Sequence, residues 1–184
     1  MNLRSSWQYI SETSKRRLAT NKTSRHMGGY GTGIEVIGVA GEVVARRYLG
    51  LDEGVHLGFD GGTDIVYYGL RIDVKATILT PTAQYKFLQW AERKPVRSDI
   101  ILFTLIDPIN RAGYPAGYAT RDEILAAPIN PLRHIPCHEI SIRDLHPEWE
   151  LFVFGKKASE DLKLGVVKTF SVGQYWDRSE LEVT

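Results

Sequence analysis

The chain has 184 residues, of which 43% are hydrophobic, and its 23 lysines and arginines nearly balance 22 aspartates and glutamates. This length and apolar content predict one domain with a packed core, and a net charge of +1 excludes a strongly basic protein that coats nucleic acid. The single cysteine, Cys137, excludes an internal disulfide and predicts a reducing, cytoplasmic setting. No apolar run approaches the roughly 20 residues of a membrane span, so no membrane partner is expected.

The first 33 residues predict a basic N-terminal arm. Residues 5–19 have the apolar spacing of a short helix and contain three consecutive basic residues, Lys15, Arg16 and Arg17. Residues 20–33 are rich in Asn, Thr, Ser and Gly and predict a loop. A basic, mobile arm suits contacts with phosphate groups, and a solvated, poorly ordered N-terminus is an equal alternative.

Residues 34–48 predict a helix that packs very close to a neighbouring element. Glycine inside a helix costs about 1 kcal/mol, so Gly38 and Gly41 indicate a close approach, such as that of a sheet. Glu42 follows Gly41 and is therefore the acidic residue expected at the closest approach. Glu35 lies about two turns earlier on the same side and is the second candidate.

Residues 64–67 and 70–77 predict two strands joined by a tight turn at Tyr68 and Gly69. Folding this hairpin about its turn places Tyr67 opposite Leu70 and continues the pairing outward along both strands. Because side chains alternate between the two faces of a strand, the polar residues of the second strand share one face.

This predicted register brings together the residues that could bind a cation. Asp64 lies directly opposite Asp73, with the two Cβ atoms about 4.5–5.5 Å apart. Two facing carboxylates repel one another unless a cation lies between them, and hard oxygen ligands suit Mg²⁺. Lys75 lies two residues after Asp73 and on the same face. Singly, each residue also fits an ordinary role: a turn cap for Asp64, or a weak surface ion pair for Asp73 and Lys75.

The rest of the chain predicts further alternation of strands and helices. The mixed pattern of residues 82–93 favours a helix, whereas the apolar run at 99–106 predicts a strand buried on both faces. A strand at 117–120 then leads into a short helix, because Thr120 and Glu123 have the spacing of a capping box.

The C-terminal third predicts two more strands, at 139–142 and 151–154. The whole order indicates an α/β domain with a mixed central sheet flanked by helices. We expect a single domain over 1–184, with the basic arm at 1–33, a catalytic core at 34–127 and a C-terminal extension at 128–184 packed on that core.

The set of motifs resembles the PD-(D/E)xK nuclease superfamily. The resemblance lies in the helix segment 38–42, in Asp64 after a glycine turn, and in residues 73–75 on the next strand. It extends over 34–125, roughly half of the chain. Thr63 replaces the proline that gives the superfamily motif its first letter.

The resemblance implies a restriction-endonuclease-like core, αβββαβ, and a small stand-alone nuclease that hydrolyses phosphodiester bonds. It implies that Asp64 and Asp73 bind Mg²⁺ together with the Val74 backbone carbonyl, and that Mn²⁺ can substitute. Glu42 would hold a water beside the ion or a second ion. Lys75 would position and activate the attacking water and stabilise charge on the phosphate.

The resemblance also implies DNA as the substrate, with an endonuclease of recombination, repair or phage DNA metabolism as the expected role. A catalytically silent DNA-binding module, a sequence-specific restriction endonuclease, an RNA substrate and a homodimer stay open as alternatives. The candidate phosphate contacts are the basic residues Lys15, Arg16, Arg17, Lys86, Arg93 and Lys94.

Overall fold

The fold is α/β, with a mixed four-stranded sheet flanked by helices and a smaller three-stranded sheet beside it. The computed structural model describes residues 1–21, 32–54, 62–80, 86–90, 96–131 and 136–163. Its helices are α1 (Trp7–Asn21), α2 (Thr32–Tyr48), α3 (Arg121–Ala126) and α4 (Glu150–Lys163). Its strands are β1 (Ile65–Tyr67), β2 (Leu70–Ile78), β3 (Lys86–Trp90), β4 (Ile100–Asp107), β5 (Ala112–Thr120), β6 (Ile129–Asn130) and β7 (Cys137–Ser141).

The larger sheet has the strand order β1-β2-β4-β5, in which β2 and β4 are parallel and the other pairs antiparallel. The predicted mixed sheet is therefore confirmed. The predicted turn between β1 and β2 is also confirmed, because Tyr68 and Gly69 both have positive φ, at 47° and 85°. That combination is typical of the tight turns that match the twist of a hairpin. The smaller sheet has the order β3-β7-β6.

One face of the larger sheet is covered by α2, which fulfils the prediction made from its small residues. A Cβ atom on Gly41 would lie 2.5 Å from the Ala76 Cβ and 2.7 Å from the Thr104 Oγ1, so only glycine allows this approach. Val74 and Leu102 of this face are buried in the same cluster as Ala45 of the helix. The helix is thereby fixed against β2 and β4.

The opposite face of the sheet packs on α3 and on the smaller sheet. Ile101 and Phe103 of β4 are fully buried there, in a cluster with Ile124 of α3 and Ile140 of β7. The predicted capping box begins α3: the Thr120 side chain accepts from the Glu123 amide, and the Glu123 side chain accepts from the Thr120 amide. β4 is thus buried on both faces, as its apolar run predicted.

The N-terminal segment differs from the predicted arm, because residues 1–21 are part of the packed domain. Leu3 and Ile10 are fully buried against α2. The Leu3 amide donates to the Arg111 carbonyl at 2.8 Å, and the terminal amino group donates to the Gly113 carbonyl at 2.6 Å. Apolar burial and main-chain hydrogen bonds therefore outweigh the local charge. Residues 22–31 lie outside the described part of the chain.

Two other elements differ from their predictions. Within 82–93, where a helix was predicted, Lys86–Trp90 forms strand β3 and pairs with β7, so tertiary pairing overrides the local pattern. The strand predicted at 151–154 is wrong, since those residues begin α4. Leu151, Phe154 and Ala158 are buried together, and their spacing of three and four residues forms one helical face. No helix within the described ranges is long and apolar enough to span a membrane.

Candidate active site

Asp64, Asp73 and Lys75 lie along one edge of the larger sheet. β1 pairs with only the first three residues of β2, through Leu70, Arg71 and Ile72. Beyond Ile72, no strand within the described ranges continues along that edge. Asp64 lies immediately before β1, and Asp73 and Lys75 lie on β2 beyond the last pair.

Asp64 is held at this edge by two hydrogen bonds. Its amide donates to the Ile72 carbonyl at 2.9 Å, and its Oδ2 accepts from the Val74 amide at 2.6 Å. The two bonds bracket Asp73, so Asp64 lies beside that residue. The predicted register is confirmed for the three pairs of the hairpin, but Asp64 is not a ladder partner of Asp73. The Asp64 carboxylate thus accepts the hydrogen bond of the Val74 amide, which in a longer strand pair a backbone carbonyl would accept.

Asp73 and Lys75 form an ion pair on one face of β2. Asp73 is only 7% exposed, and its Oδ2 accepts from the Lys75 ammonium group. The side chain of Lys75 is 35% exposed, so its amino group borders solvent. Within the described residues Lys75 is the one basic partner of Asp73. A carboxylate this buried carries a large desolvation cost, and a further cation would offset it.

The Val74 carbonyl points to the same edge as Asp64. The N–H and C=O groups of one strand residue point to the same side. Because the Val74 amide donates to Asp64, its carbonyl also faces the outer edge of β2. This places one backbone oxygen beside the two aspartates.

Glu42 faces α1 and is bound by Arg17. The Arg17 Nη1 and Nη2 atoms donate to Glu42 Oε1 and Oε2 at 2.6 and 2.7 Å, a bidentate pair between two largely buried side chains. Arg17 Nη1 also lies 3.7 Å from Glu35 Oε1. Burial lowers the pKa of Arg17, but the hydrogen bond to Glu42 and the charges of Glu42, Glu35 and Asp64 together raise it. Arg17 therefore stays charged beside the candidate carboxylates.

Arg46 links α2 to the position of Asp64. Its Nη2 donates to the Asp64 carbonyl at 3.1 Å, and its Nη1 donates to the Asp52 carbonyl at 3.4 Å. No local sequence pattern predicted this role for Arg46. Nor did the sequence assign Arg17 to a carboxylate, because the pairing of α1 with α2 is a tertiary contact that no local pattern specifies.

The donor atoms match Mg²⁺ in kind, but the side chains are not gathered into a ready cage. Within the described ranges, no group of three or more His, Cys, Asp or Glu side chains is placed to hold a metal ion. Asp64, Asp73 and the Val74 carbonyl supply hard oxygens, and Mg²⁺ commonly takes few protein ligands and keeps several waters. Arg17 donates to both oxygens of Glu42, so in this arrangement Glu42 could not hold a metal ion with both oxygens unless Arg17 moved away.

The candidate phosphate contacts fall into three groups. Lys15 and Arg16 are exposed on α1, as a phosphate contact requires. Arg17, by contrast, is largely shielded from solvent by its ion pair with Glu42, with 12% of its side chain exposed. The backbone of Lys86 lies in β3, while Arg93 and Lys94 lie outside the described residues.

Comparison with known proteins found no match to the chain among family models, curated proteins or solved structures.

Proposed function

We propose that the chain is a Mg²⁺-dependent nuclease that hydrolyses phosphodiester bonds in DNA, with Mn²⁺ able to replace Mg²⁺. The observation that carries the proposal is the placement of Asp64 beside the buried Asp73, at an edge of β2 where Lys75 meets solvent. Two acidic side chains and a lysine next to one another on a sheet edge have no packing role that requires all three. Together they suit the binding of a cation and a phosphate.

Each residue has a distinct part in the proposed reaction. Asp64, Asp73 and the Val74 carbonyl hold the ion, which when bound supplies Lewis acidity to water and to the phosphate. The Lys75 ammonium group positions the attacking water and stabilises the negative charge that develops on the phosphate. Glu42, which the sequence predicted beside the ion, is bound by Arg17 instead and has no part in this reaction.

The Asp73–Lys75 contact must loosen for this reaction. The Lys75 ammonium group donates to Oδ2 of Asp73, so one of the two oxygens of this carboxylate is already bound. A cation bound to Asp73 would weaken this contact and leave the Lys75 ammonium group able to turn toward a phosphate.

The fold is consistent with a restriction-endonuclease-like core, which we propose as the finer assignment. α2, the β1–β2 hairpin and the parallel step from β2 to β4 follow the expected order. Two departures are that the described residues between β2 and β4 include β3, a strand of the second sheet, and that β5 follows β4 before α3. A small endonuclease of recombination, repair or phage DNA metabolism remains our preferred role, with Lys15 and Arg16 as phosphate contacts.

Cleavage assays with matched variants test the proposal. Supercoiled plasmid, linear duplex, single-stranded DNA and a four-way junction are incubated with the protein in Mg²⁺ and in EDTA. We expect cleavage only in Mg²⁺, and expect Asp64→Asn and Asp73→Asn to lower its rate by at least about 100-fold. Asp99→Asn is the matched control, since Asp99 pairs with Arg71 away from Lys75.

The substrate that is cut distinguishes the remaining alternatives. Preference for the junction indicates a structure-selective enzyme, and cutting at fixed sequences indicates a restriction enzyme. Folded protein that binds DNA without cutting it indicates a silent binding module. Cutting that persists in EDTA or in the Asp73→Asn variant would contradict the proposed site.

A further inference from the structure

We infer that Arg46 is a positioning residue of the proposed nuclease site, and that it acts by fixing Asp64 beside Asp73. The inference rests on the proposed function and adds to it a residue that no sequence motif marked. Arg46 lies in the last turn of α2, and its Nη2 donates to the Asp64 carbonyl at 3.1 Å. Its role is to set the position of a side chain that would bind the ion.

The first support is the way in which Asp64 is held. Its amide donates to the Ile72 carbonyl at 2.9 Å, which fixes the peptide group before its Cα atom. Its carbonyl accepts from Arg46, which fixes the peptide group after its Cα atom. Because peptide groups are planar, fixing both of them fixes the direction of the bond from Cα to Cβ. The carboxylate, which accepts from the Val74 amide at 2.6 Å, is then held at one place on the edge of β2.

The second support is the rigidity of the element that carries Arg46. Ala45 and Leu49 of the same helix are buried in the core cluster that includes Val74 of β2. The Leu51 amide donates back to the Arg46 carbonyl at 2.8 Å, which fixes the end of the helix. The backbone of Arg46 is therefore held against the strand that carries the site, as a positioning residue requires.

The third support is the use that Arg46 makes of its N–H groups. Its Nη1 donates to the Asp52 carbonyl at 3.4 Å, a longer and weaker bond than that of Nη2 with Asp64. Its Nε is buried and has no partner among the described residues, which lowers the net stability that this side chain can contribute to the fold. The closest contact that Arg46 does make is with Asp64, which favours a role in the position of that residue.

A fixed Asp64 matters because this residue lies beside a second acidic residue. Asp73 is only 7% exposed, and two carboxylates that approach each other repel. Without a restraint, Asp64 would turn away from Asp73 when no cation is bound. Arg46 opposes that movement, so the two residues are already together when a cation arrives and its binding costs less conformational entropy.

Hydrogen exchange of the Val74 amide, followed by nuclear magnetic resonance, tests the inference without any measurement of cleavage. This amide donates to the Asp64 carboxylate, so its exchange rate reports whether Asp64 is in place. We expect its exchange to be at least about 10-fold faster in Arg46→Met than in the wild type. Arg47→Met is the matched control and should exchange at the wild-type rate, because that neighbouring arginine binds Glu53 rather than Asp64.

A purely structural role for Arg46 predicts a different result. Loss of global stability would speed the exchange of the buried Leu102 amide of β4 by the same factor as that of Val74, whereas we expect Val74 alone to respond. In Asp64→Ala, which has no carboxylate at this position, adding Arg46→Met should not speed the exchange of Val74 further. Equal Val74 rates in the wild type and Arg46→Met, equal acceleration of Val74 and Leu102, or additive effects in the double variant would each overturn the inference.

A measurement on the wild type covers the case in which Arg46→Met does not fold. The ¹⁵N signals of the Arg46 side chain show whether its guanidinium group rotates freely. We expect separate signals for Nη1 and Nη2, because each donates to a different carbonyl. Averaged signals would show that the arginine does not hold Asp64 and would refute the inference.

Cleavage assays separate the failure of this inference from the failure of the proposed function. If the wild type nicks plasmid in Mg²⁺, we expect Arg46→Met to lower kcat by at least about 10-fold and to leave KM within about twofold, because Arg46 acts through Asp64 and not through DNA. An unchanged kcat in Arg46→Met would overturn the inference alone. Folded wild-type protein that cuts no DNA would contradict the nuclease proposal on which the inference rests.

Discussion

At the residue scale, Glu42 and Asp73 are equally buried carboxylates that differ in their charged partners. Glu42 is held by both arms of the Arg17 guanidinium, whereas Asp73 has one basic partner among the described residues. Both oxygens of Glu42 are therefore bound by a positively charged group, whereas only one oxygen of Asp73 is bound by one among the described residues. This difference is why we place the ion beside Asp73 and Asp64 rather than on α2.

Glu123 gives a pH-dependent prediction at the same scale. Burial raises its pKa, but hydrogen bonds from Thr120 and His146 lower it overall, below the ordinary value of 4.5. A depressed pKa means that the carboxylate stabilises the fold above its unfolded pKa and loses that effect as pH falls through its folded pKa. At pH 7 we expect Glu123→Gln to be less stable by under about 1 kcal/mol, because the side chain is 44% exposed.

Urea unfolding at pH 7, 5 and 3 measures this difference. The difference in free energy of unfolding between the wild type and Glu123→Gln should be the same at pH 7 and 5, and should become smaller once the pH falls below about 4.5. A gap that keeps its full size at pH 3 would indicate lost packing in place of lost charge.

At the element scale, the contact between α2 and the sheet depends on one glycine. Gly41→Ala would place its Cβ 2.5 Å from the Cβ of Ala76, so α2 must move away from β2. We expect a loss of about 1–3 kcal/mol in the free energy of unfolding, as for other overpacked cores. Gly38→Ala is the matched control: nothing lies within 4 Å of its Cβ, so it should gain up to about 1 kcal/mol.

Chemical denaturation of both variants measures these changes in the free energy of unfolding. Equal effects of Gly41→Ala and Gly38→Ala would mean that helix propensity alone governs the two positions and that α2 is not in close contact with the sheet.

Local sequence patterns correctly predicted the elements whose secondary structure depends mainly on the residues within them. The spacing of apolar residues gave α2 and β4, and the Tyr68–Gly69 turn gave the hairpin and its three pairs. The secondary structure predicted for two segments was wrong because tertiary contacts decide it. Pairing with β7 decides it for Lys86–Trp90, and packing on the larger sheet decides it for Glu150–Lys163. The same limit applies to the site: Asp73 and Lys75 follow from strand alternation, but the contact of Arg17 with Glu42 joins residues 25 positions apart.

At the scale of the whole molecule, the N-terminal residues are an integral part of the domain. Leu3 is fully buried and its segment hydrogen-bonds to Arg111 and Gly113. We expect Leu3→Ala to cost about 2–5 kcal/mol of unfolding free energy, the usual range for a buried leucine. Leu125→Ala, at a site 47% exposed, should change stability by no more than about 0.5 kcal/mol.

Thermal unfolding of the two leucine variants distinguishes a packed N-terminus from an arm. If Leu3→Ala were as stable as Leu125→Ala, the N-terminal segment would contribute nothing to the core.

The most direct test of the central claim is the nicking rate of supercoiled plasmid in Mg²⁺ for the wild type, Lys75→Met and Lys156→Met. Lys75 borders the site and should position the attacking water, whereas Lys156 is an exposed residue of α4. We predict that Lys75→Met loses at least about 100-fold in rate and that Lys156→Met matches the wild type. Equal rates for Lys75→Met and the wild type would contradict the assignment of this site as the nuclease centre.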